Sequence, residues 1–233
     1  MTAQPLTLPF GDSPALLWGG PAPRVWLYVH GKGGSKEEGE GFAAAACPAG
    51  AQVLALDLPE HGARRGSPVP LVPWTVVPEL RALLDYAQTR WETVALRCTS
   101  LGAWFSLLAF GEVRLEKALF VSPVLDMEAL IGDMMAWAGV DEDQLRTRGE
   151  IPTAFGETLS WRYLQYVRAH RVRAWSTPTA LLRAQGDTLV REETVREFLR
   201  RFGGTLTVEP EGEHWFHTPE QLAALRRWEA AHI

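Results

Sequence analysis

Ser100 lies in the run CTSLGA, between an apolar β-like stretch (TVALRC, Thr93–Cys98) and an apolar helical one (LGAWFSLLAF). A serine on so short a strand-to-helix turn is pushed clear of a sheet, where its hydroxyl can attack a carbonyl carbon. The turn is tight enough that the residues two before and two after must be small, and Cys98 and Gly102 hold those offsets. The start of the helix also leaves backbone N–H groups free, which favours developing negative charge. The plain alternative is a serine capping an ordinary helix.

A serine becomes a nucleophile only beside a base, and the base needs a carboxylate to orient it. Both belong in loops at the C-terminal ends of later strands, where sites on α/β sheets form. Asp187 lies in AQGDTLV after the run TALLR, and His214 lies in PEGEHWF after TLTVE. Singly, Asp187 also reads as a turn aspartate after Gly186, and His214 as a surface or capping histidine. Jointly they follow Ser100 in order, each after a different strand. Asp126, just past the run Lys117–Ser122, is the rival acid, and His217 is the rival base.

Acyl transfer further requires donors for the oxyanion. One is the N–H of Leu101, directly after the serine. The other falls to the turn His30-Gly31-Lys32-Gly33-Gly34, whose glycines let backbone approach a substrate and in which Lys32 is best placed to donate. That turn otherwise reads as a flexible connection or a phosphate loop. GxxxxGK[ST] is absent, and GKGGSK does not match GxGxxG.

These residues need a scaffold, and the rest of the chain predicts one. Short β-rich runs alternate with helix-period segments, the pattern of an α/β fold with a mainly parallel sheet covered by helices on both faces. Strands are expected at Val25–His30, Gln52–Asp57, Thr93–Cys98, Lys117–Ser122, Thr179–Arg183 and Thr205–Glu209. Helices are expected from about Ser35, read as an N-cap with Glu38 three residues on, over Trp74–Arg90, after Ser100, over Glu192–Phe202 and from about Pro219. Between about 125 and 175 the β rhythm stops, and amphipathic pieces rich in Trp, Arg and Met take over. This is one domain over 1–233 with an insertion of about fifty residues, long for a simple crossover.

With 233 residues, 46% of them hydrophobic, the chain can bury a sizeable core. A net charge of −5 leaves no basic footprint for nucleic acid. No apolar run is long enough to span a bilayer, and the N-terminus lacks the features of a secretory signal, so a cytoplasmic protein is expected. Two cysteines, Cys47 and Cys98, make neither a disulfide framework nor a CxxC metal pair.

From VWLYVHGKGG through LALDLPEHG, CTSLGA and AQGDTLV to EGEHWF, the sequence resembles the α/β-hydrolase superfamily over nearly its whole length. The resemblance implies a Ser100–Asp187–His214 triad, an oxyanion hole from Lys32 and Leu101, and no metal or organic cofactor. Asp57 and His61 match the family's D-x-P-x-HG loop and read as structural, while Glu60 stands where that loop has glycine. Cys98 stands where glycine or alanine is usual; relatives with a cysteine nucleophile carry it two residues later. The insertion is similar to the helical cap of many such hydrolases, with Met134, Met135, Trp137, Trp161, Tyr163 and Tyr166 lining a pocket or docking the cap. Trp215, beside His214, joins the candidate pocket. Arg146, Arg148, Arg162, Arg168, Arg171 and Arg173 read as a solvated face.

The implied activity is that of a carboxylesterase-like serine hydrolase acting on a small-molecule ester or thioester, with neither nucleic acid nor membrane as partner. Peptidase, lactonase, acyltransferase and C–C bond hydrolase chemistry use the same triad, and a halogenase-type peroxidase is conceivable. Haloalkane dehalogenases and epoxide hydrolases carry Asp at the position of Ser100. A non-catalytic binding protein on this fold is the rival from another class.

Overall fold

Residues alternate across a strand, so a strand covered on both faces reads as a near-continuous apolar run. Along the chain the elements run as strands β1 (Gln4–Leu6), β2 (Ala15–Trp18) and β3 (Arg24–Val29), helix α1 (Gly39–Ala46), strand β4 (Ala51–Ala55), helix α2 (Pro73–Gln88), strand β5 (Thr93–Thr99), helix α3 (Leu101–Phe110) and strand β6 (Ala118–Val121). Then come α4 (Met127–Ala138), α5 (Glu142–Arg148), β7 (Glu150–Pro152), β8 (Thr158–Ser160) and α6 (Trp161–Ala169). Strand β9 (Thr179–Ala184), α7 (Glu192–Phe202), β10 (Thr205–Glu209) and α8 (Pro219–His232) follow. The computed structural model describes residues 2–12 and 14–233.

Among these residues one sheet runs in the order β1-β2-β4-β3-β5-β6-β9-β10. It is parallel from β4 to β10, while β2 is antiparallel to both β1 and β4. The β1–β2 edge is absent from the sequence expectation, because three- and four-residue strands, one containing Pro5, carry too little alternation to read. The six parallel strands fall within one or two residues of their expected positions.

Strand β5 shows how the layers form. Val94, Leu96 and Cys98 face one core with α2, α3 and α7, while Ala95 faces the other, beneath α1 and α8. Trp26, Phe42 and Trp228 fill the second core, with Trp26 edge-on to Phe42 at 5.1 Å. Each large side chain buried in this way contributes roughly 1.5–3 kcal/mol.

From β3 the chain crosses by way of α1 to β4 on one side; from β4 it returns by way of α2 to β5 on the other. The loops after β3 and β5 therefore diverge at their C-terminal ends and leave a crevice between them. Strands β3 and β5 run in register from Arg24–Thr93 to Val29–Cys98, so both loops leave the sheet at the same level.

Two sequence expectations meet corrections here. The Ser35 side chain makes no cap hydrogen bond, and the helix enters through a 3-10 turn, Lys36–Glu38. The Lys36 N–H instead donates to Asp57 Oδ1 at 2.9 Å, a carboxylate from the next strand's loop. The 125–175 stretch is also not helical alone: β7 and β8 form an antiparallel hairpin between α5 and α6.

Candidate active site

Cys98 turns its side chain into the α2/α3 core and Thr99 falls on the opposite face, leaving Ser100 at the tip of the turn. Ser100 has φ 47° and ψ −118°, a conformation that side-chain-bearing residues seldom adopt and that costs about 1–3 kcal/mol. The surroundings hold it there. Its N–H donates to Val121 O at 3.0 Å, and its carbonyl accepts from Ala103 N at 3.0 Å and Val124 N at 3.1 Å. A Cβ on Gly102 would lie 2.5 Å from His30 O and 2.8 Å from Val29 O, so only glycine lets α3 start this close to β3.

The Ser100 hydroxyl donates to His214 Nε2 at 2.9 Å, and His214 Nδ1–H donates to Asp187 Oδ2 at 2.8 Å. A carboxylate only accepts, which assigns the ring proton to Nδ1 and turns the Nε2 lone pair toward the serine. Asp187 Oδ1 in turn accepts from Leu189 N and Val190 N, each at 2.9 Å. Its side chain has no exposed surface, whereas that of His214 is 17% exposed. Asp187 is thus fixed by backbone donors, and His214 is fixed by Asp187.

Across the crevice lies the turn after β3. A Cβ on Gly31 would stand 3.2 Å from Ser100 Cβ, so this backbone passes directly beside the serine. Two buried histidines hold it. His30 Nδ1–H donates to Gly31 O at 2.7 Å while Nε2 accepts from Leu58 N at 3.0 Å; His61 Nδ1–H donates to Pro59 O at 2.7 Å while Nε2 accepts from Gly33 N at 2.9 Å. Both rings need a free lone pair, and burial pushes the His30 pKa down to about 4. Beneath them Asp57 accepts from Ala63 N at 3.0 Å and pairs with Lys36 Nζ. Those hydrogen bonds, Lys36 foremost, hold the Asp57 carboxyl below its ordinary pKa against the opposing effect of burial. The Gly33 N–H is committed to His61, whereas the N–H groups of Lys32 and Leu101 have no acceptor among the described residues.

Each rival residue has another occupation. Asp126 caps α4, its Oδ1 accepting from Ala129 N at 3.0 Å. His217 Nδ1–H donates to Trp215 O at 2.7 Å. Cys98 is fully buried, and burial raises its thiol pKa to about 12.

The candidate pocket residues scatter. Trp215 is 77% exposed and borders a cavity beside His214. Met134, Trp161 and Tyr166 are half-buried, and none borders that cavity. Tyr166 stacks on His170 at 3.9 Å and packs on Trp74 at 5.5 Å. Trp137 is 52% exposed and edge-on to Phe155 at 6.1 Å. Tyr163 stacks on Trp104, one turn along α3 from Ser100, at 5.8 Å.

Two ion pairs that no local pattern announces tie the 125–175 segment to site loops. Lys32 Nζ pairs with Glu157, in the β7–β8 turn, and Arg191 Nε donates to Asp133 of α4 at 2.7 Å. Of the arginines read as a solvated face, Arg168 bridges Glu128 and Glu142, and Arg162 lies over the Trp74 ring at 4.2 Å. Among the described residues no helix is long and apolar enough to cross a membrane.

No protein-family model matches the sequence, and no curated protein matches it. Solved structures do. Est1E from Butyrivibrio proteoclasticus, with ferulic acid bound, is 19% identical, with 94% of this chain and 92% of that one covered at a TM-score of 0.76. Mouse alpha/beta hydrolase domain-containing protein 10 is 14% identical, with 98% and 96% covered at 0.73. A monoacylglycerol lipase from Paleococcus ferrophilus is 18% identical, with 94% and 98% covered at 0.65. The chain has the α/β-hydrolase fold.

Proposed function

We propose that this protein is a serine hydrolase that cleaves carboxylic esters or thioesters of small to medium substrates. One observation carries the reading: the continuous hydrogen-bond chain from Ser100 through His214 to Asp187, at 2.9 and 2.8 Å, beside a strained serine and two unused N–H groups. Similarity to a monoacylglycerol lipase and to an Est1E that binds a carboxylic acid supports it.

In this mechanism Ser100 Oγ attacks the carbonyl carbon as its proton passes to His214 Nε2. Asp187 stabilises the imidazolium and keeps the ring oriented. Lys32 and Leu101 donate their N–H groups to the oxyanion, a contribution typically worth about 3–4 kcal/mol per donor. As the tetrahedral intermediate collapses, the bond to the leaving oxygen or sulfur breaks, and that atom takes the proton from Nε2. Water, deprotonated by His214, then attacks the acyl-enzyme and frees Ser100.

Labelling with a fluorophosphonate, followed by peptide mass spectrometry, tests the nucleophile. The adduct is expected on the peptide containing Ser100 and lost in Ser100→Ala; an adduct on Cys98, or none, refutes the assignment. A panel of p-nitrophenyl esters and acyl-CoA thioesters, run on both proteins, tests the bond class. Ser100→Ala should lower kcat by roughly 10³-fold or more.

A further inference from the structure

We propose that a cavity of about 340 Å³ between α1, α8 and the ends of β3 and β5 receives the leaving group of the substrate, and that this group is a neutral, hydroxyl-rich alcohol. The proposal rests on the hydrolase reading above and extends it to the substrate's alcohol half.

Position comes first. His214 forms part of the cavity wall, and so does Thr99, the residue before Ser100. When the acyl–oxygen bond breaks, the departing oxygen takes its proton from His214 Nε2 and so lies within hydrogen-bond reach of it. The remainder of the alcohol then extends along the histidine's side of the crevice, the side on which His214 and Thr99 border this cavity. Its volume falls in the range of small-molecule sites, about 300–1,000 Å³.

The charges on the walls select what can occupy it. Arg97, 2% exposed, and Glu229, 3% exposed, face each other at the base, with Arg97 Nε donating to Glu229 Oε1 at 2.8 Å. Arg97 also donates to Thr99 Oγ1 and lies 5.2 Å from the centre of the Tyr28 ring. Glu38, without an ion pair among the described residues, and Arg226 line the sides. Two cations thus oppose two anions. An anionic ligand meets Glu38 and Glu229, and a cationic one meets Arg97 and Arg226. An apolar alcohol displaces water from buried charges without replacing its hydrogen bonds, at a cost that a polyol avoids. Trp215 offers an exposed ring at the mouth against which the C–H face of a polyol can stack.

The test compares glyceryl butyrate with hexyl butyrate, which share an acyl group and differ in the alcohol. For the wild type, kcat/KM should favour the glyceryl ester at least tenfold. Glu38→Ala and Arg226→Ala, each checked for folding by circular dichroism, should lower that ratio at least fivefold. A ratio at or below one, or one unmoved by both variants, overturns the proposal. Saturation-transfer NMR on Ser100→Ala supplies an arm independent of turnover. Saturation should reach the glycerol protons of glyceryl butyrate and disappear in Ser100→Ala/Glu38→Ala. If no butyrate ester is cleaved, the hydrolase reading fails, while the NMR arm still decides the cavity: saturated glycerol protons support a polyol site, and their absence rejects it.

Discussion

Asp187 and Asp126 separate chemistry from architecture at the scale of single residues. Both are aspartates just past a strand of the sheet, and the sequence alone leaves either able to orient a histidine. In the fold, Asp187 holds His214 at 2.8 Å while Asp126 caps α4. Asp187→Asn should therefore reduce kcat by about 10³-fold or more through the wrong imidazole tautomer. Asp126→Asn should leave kcat within about threefold and cost at most ~1 kcal/mol of stability, since asparagine also caps helices. Steady-state kinetics and urea midpoints on the two variants decide the matter, and the reverse outcome rejects Asp187 as the orienting acid. Glu60 carries a similar lesson. It has φ 65°, a left-handed conformation that explains why glycine is usual at this point of the related loop motif. The substitution is legible in the sequence, but the strained backbone behind it is not.

Elements position these residues through close contacts as much as through regular structure. Gly102 reads in the sequence as a small residue flanking the serine, yet only the packed fold shows what it avoids, the His30 and Val29 carbonyls. Gly102→Ala should push α3 away from β3, lower stability by about 2 kcal/mol or more, and slow fluorophosphonate labelling of Ser100. Unchanged labelling would mean that the elbow tolerates a wider turn. The ion pair from Asp133 to Arg191 makes a second case, linking α4 to the loop that follows Asp187. Asp133→Asn should increase amide hydrogen exchange in residues 187–191 more than elsewhere, with a stability loss near 1 kcal/mol because Arg191 is largely exposed. Uniform exchange across the sheet would show that this contact anchors nothing in particular. The β7–β8 hairpin was illegible because three-residue strands have no measurable period, and Ser35 does not cap because the Glu38 N–H closes a 3-10 turn onto the Ser35 carbonyl instead of its side chain.

The whole molecule responds to acid through the groups that hold the turn after β3. His30 has a folded pKa near 4, below its ordinary value of 6.5. As pH falls through about 6.5 the unfolded chain takes up this proton and the native state does not, so stability is full above that value and declines toward pH 4. At pH 4.5 the loss from His30 alone is on the order of 2 kcal/mol. Asp57, held below its ordinary pKa, adds a further loss as pH falls through its lowered folded value. His30→Gln retains an acceptor for the Leu58 N–H but cannot titrate. Its urea midpoint should therefore fall less between pH 7.5 and 4.5 than that of the wild type. An equal fall would exclude His30 as the acid-sensitive group.

Local pattern alone determined the α/β class, the six parallel strands, and the order Ser100, Asp187, His214 on loops at one edge of a sheet. Those features depend on periodicity and turn chemistry within a dozen residues, which a sequence displays directly. Tertiary structure decided the rest: which aspartate meets His214, which N–H groups of the glycine turn stay free, and where the candidate pocket aromatics go. It also brought Arg97 and Glu229, 132 residues apart, into a single cavity wall. Each of these depends on strand order and on the faces that helices present to one another. Contacts between residues far apart in the chain arise only when the sheet closes, and no window of sequence contains both partners.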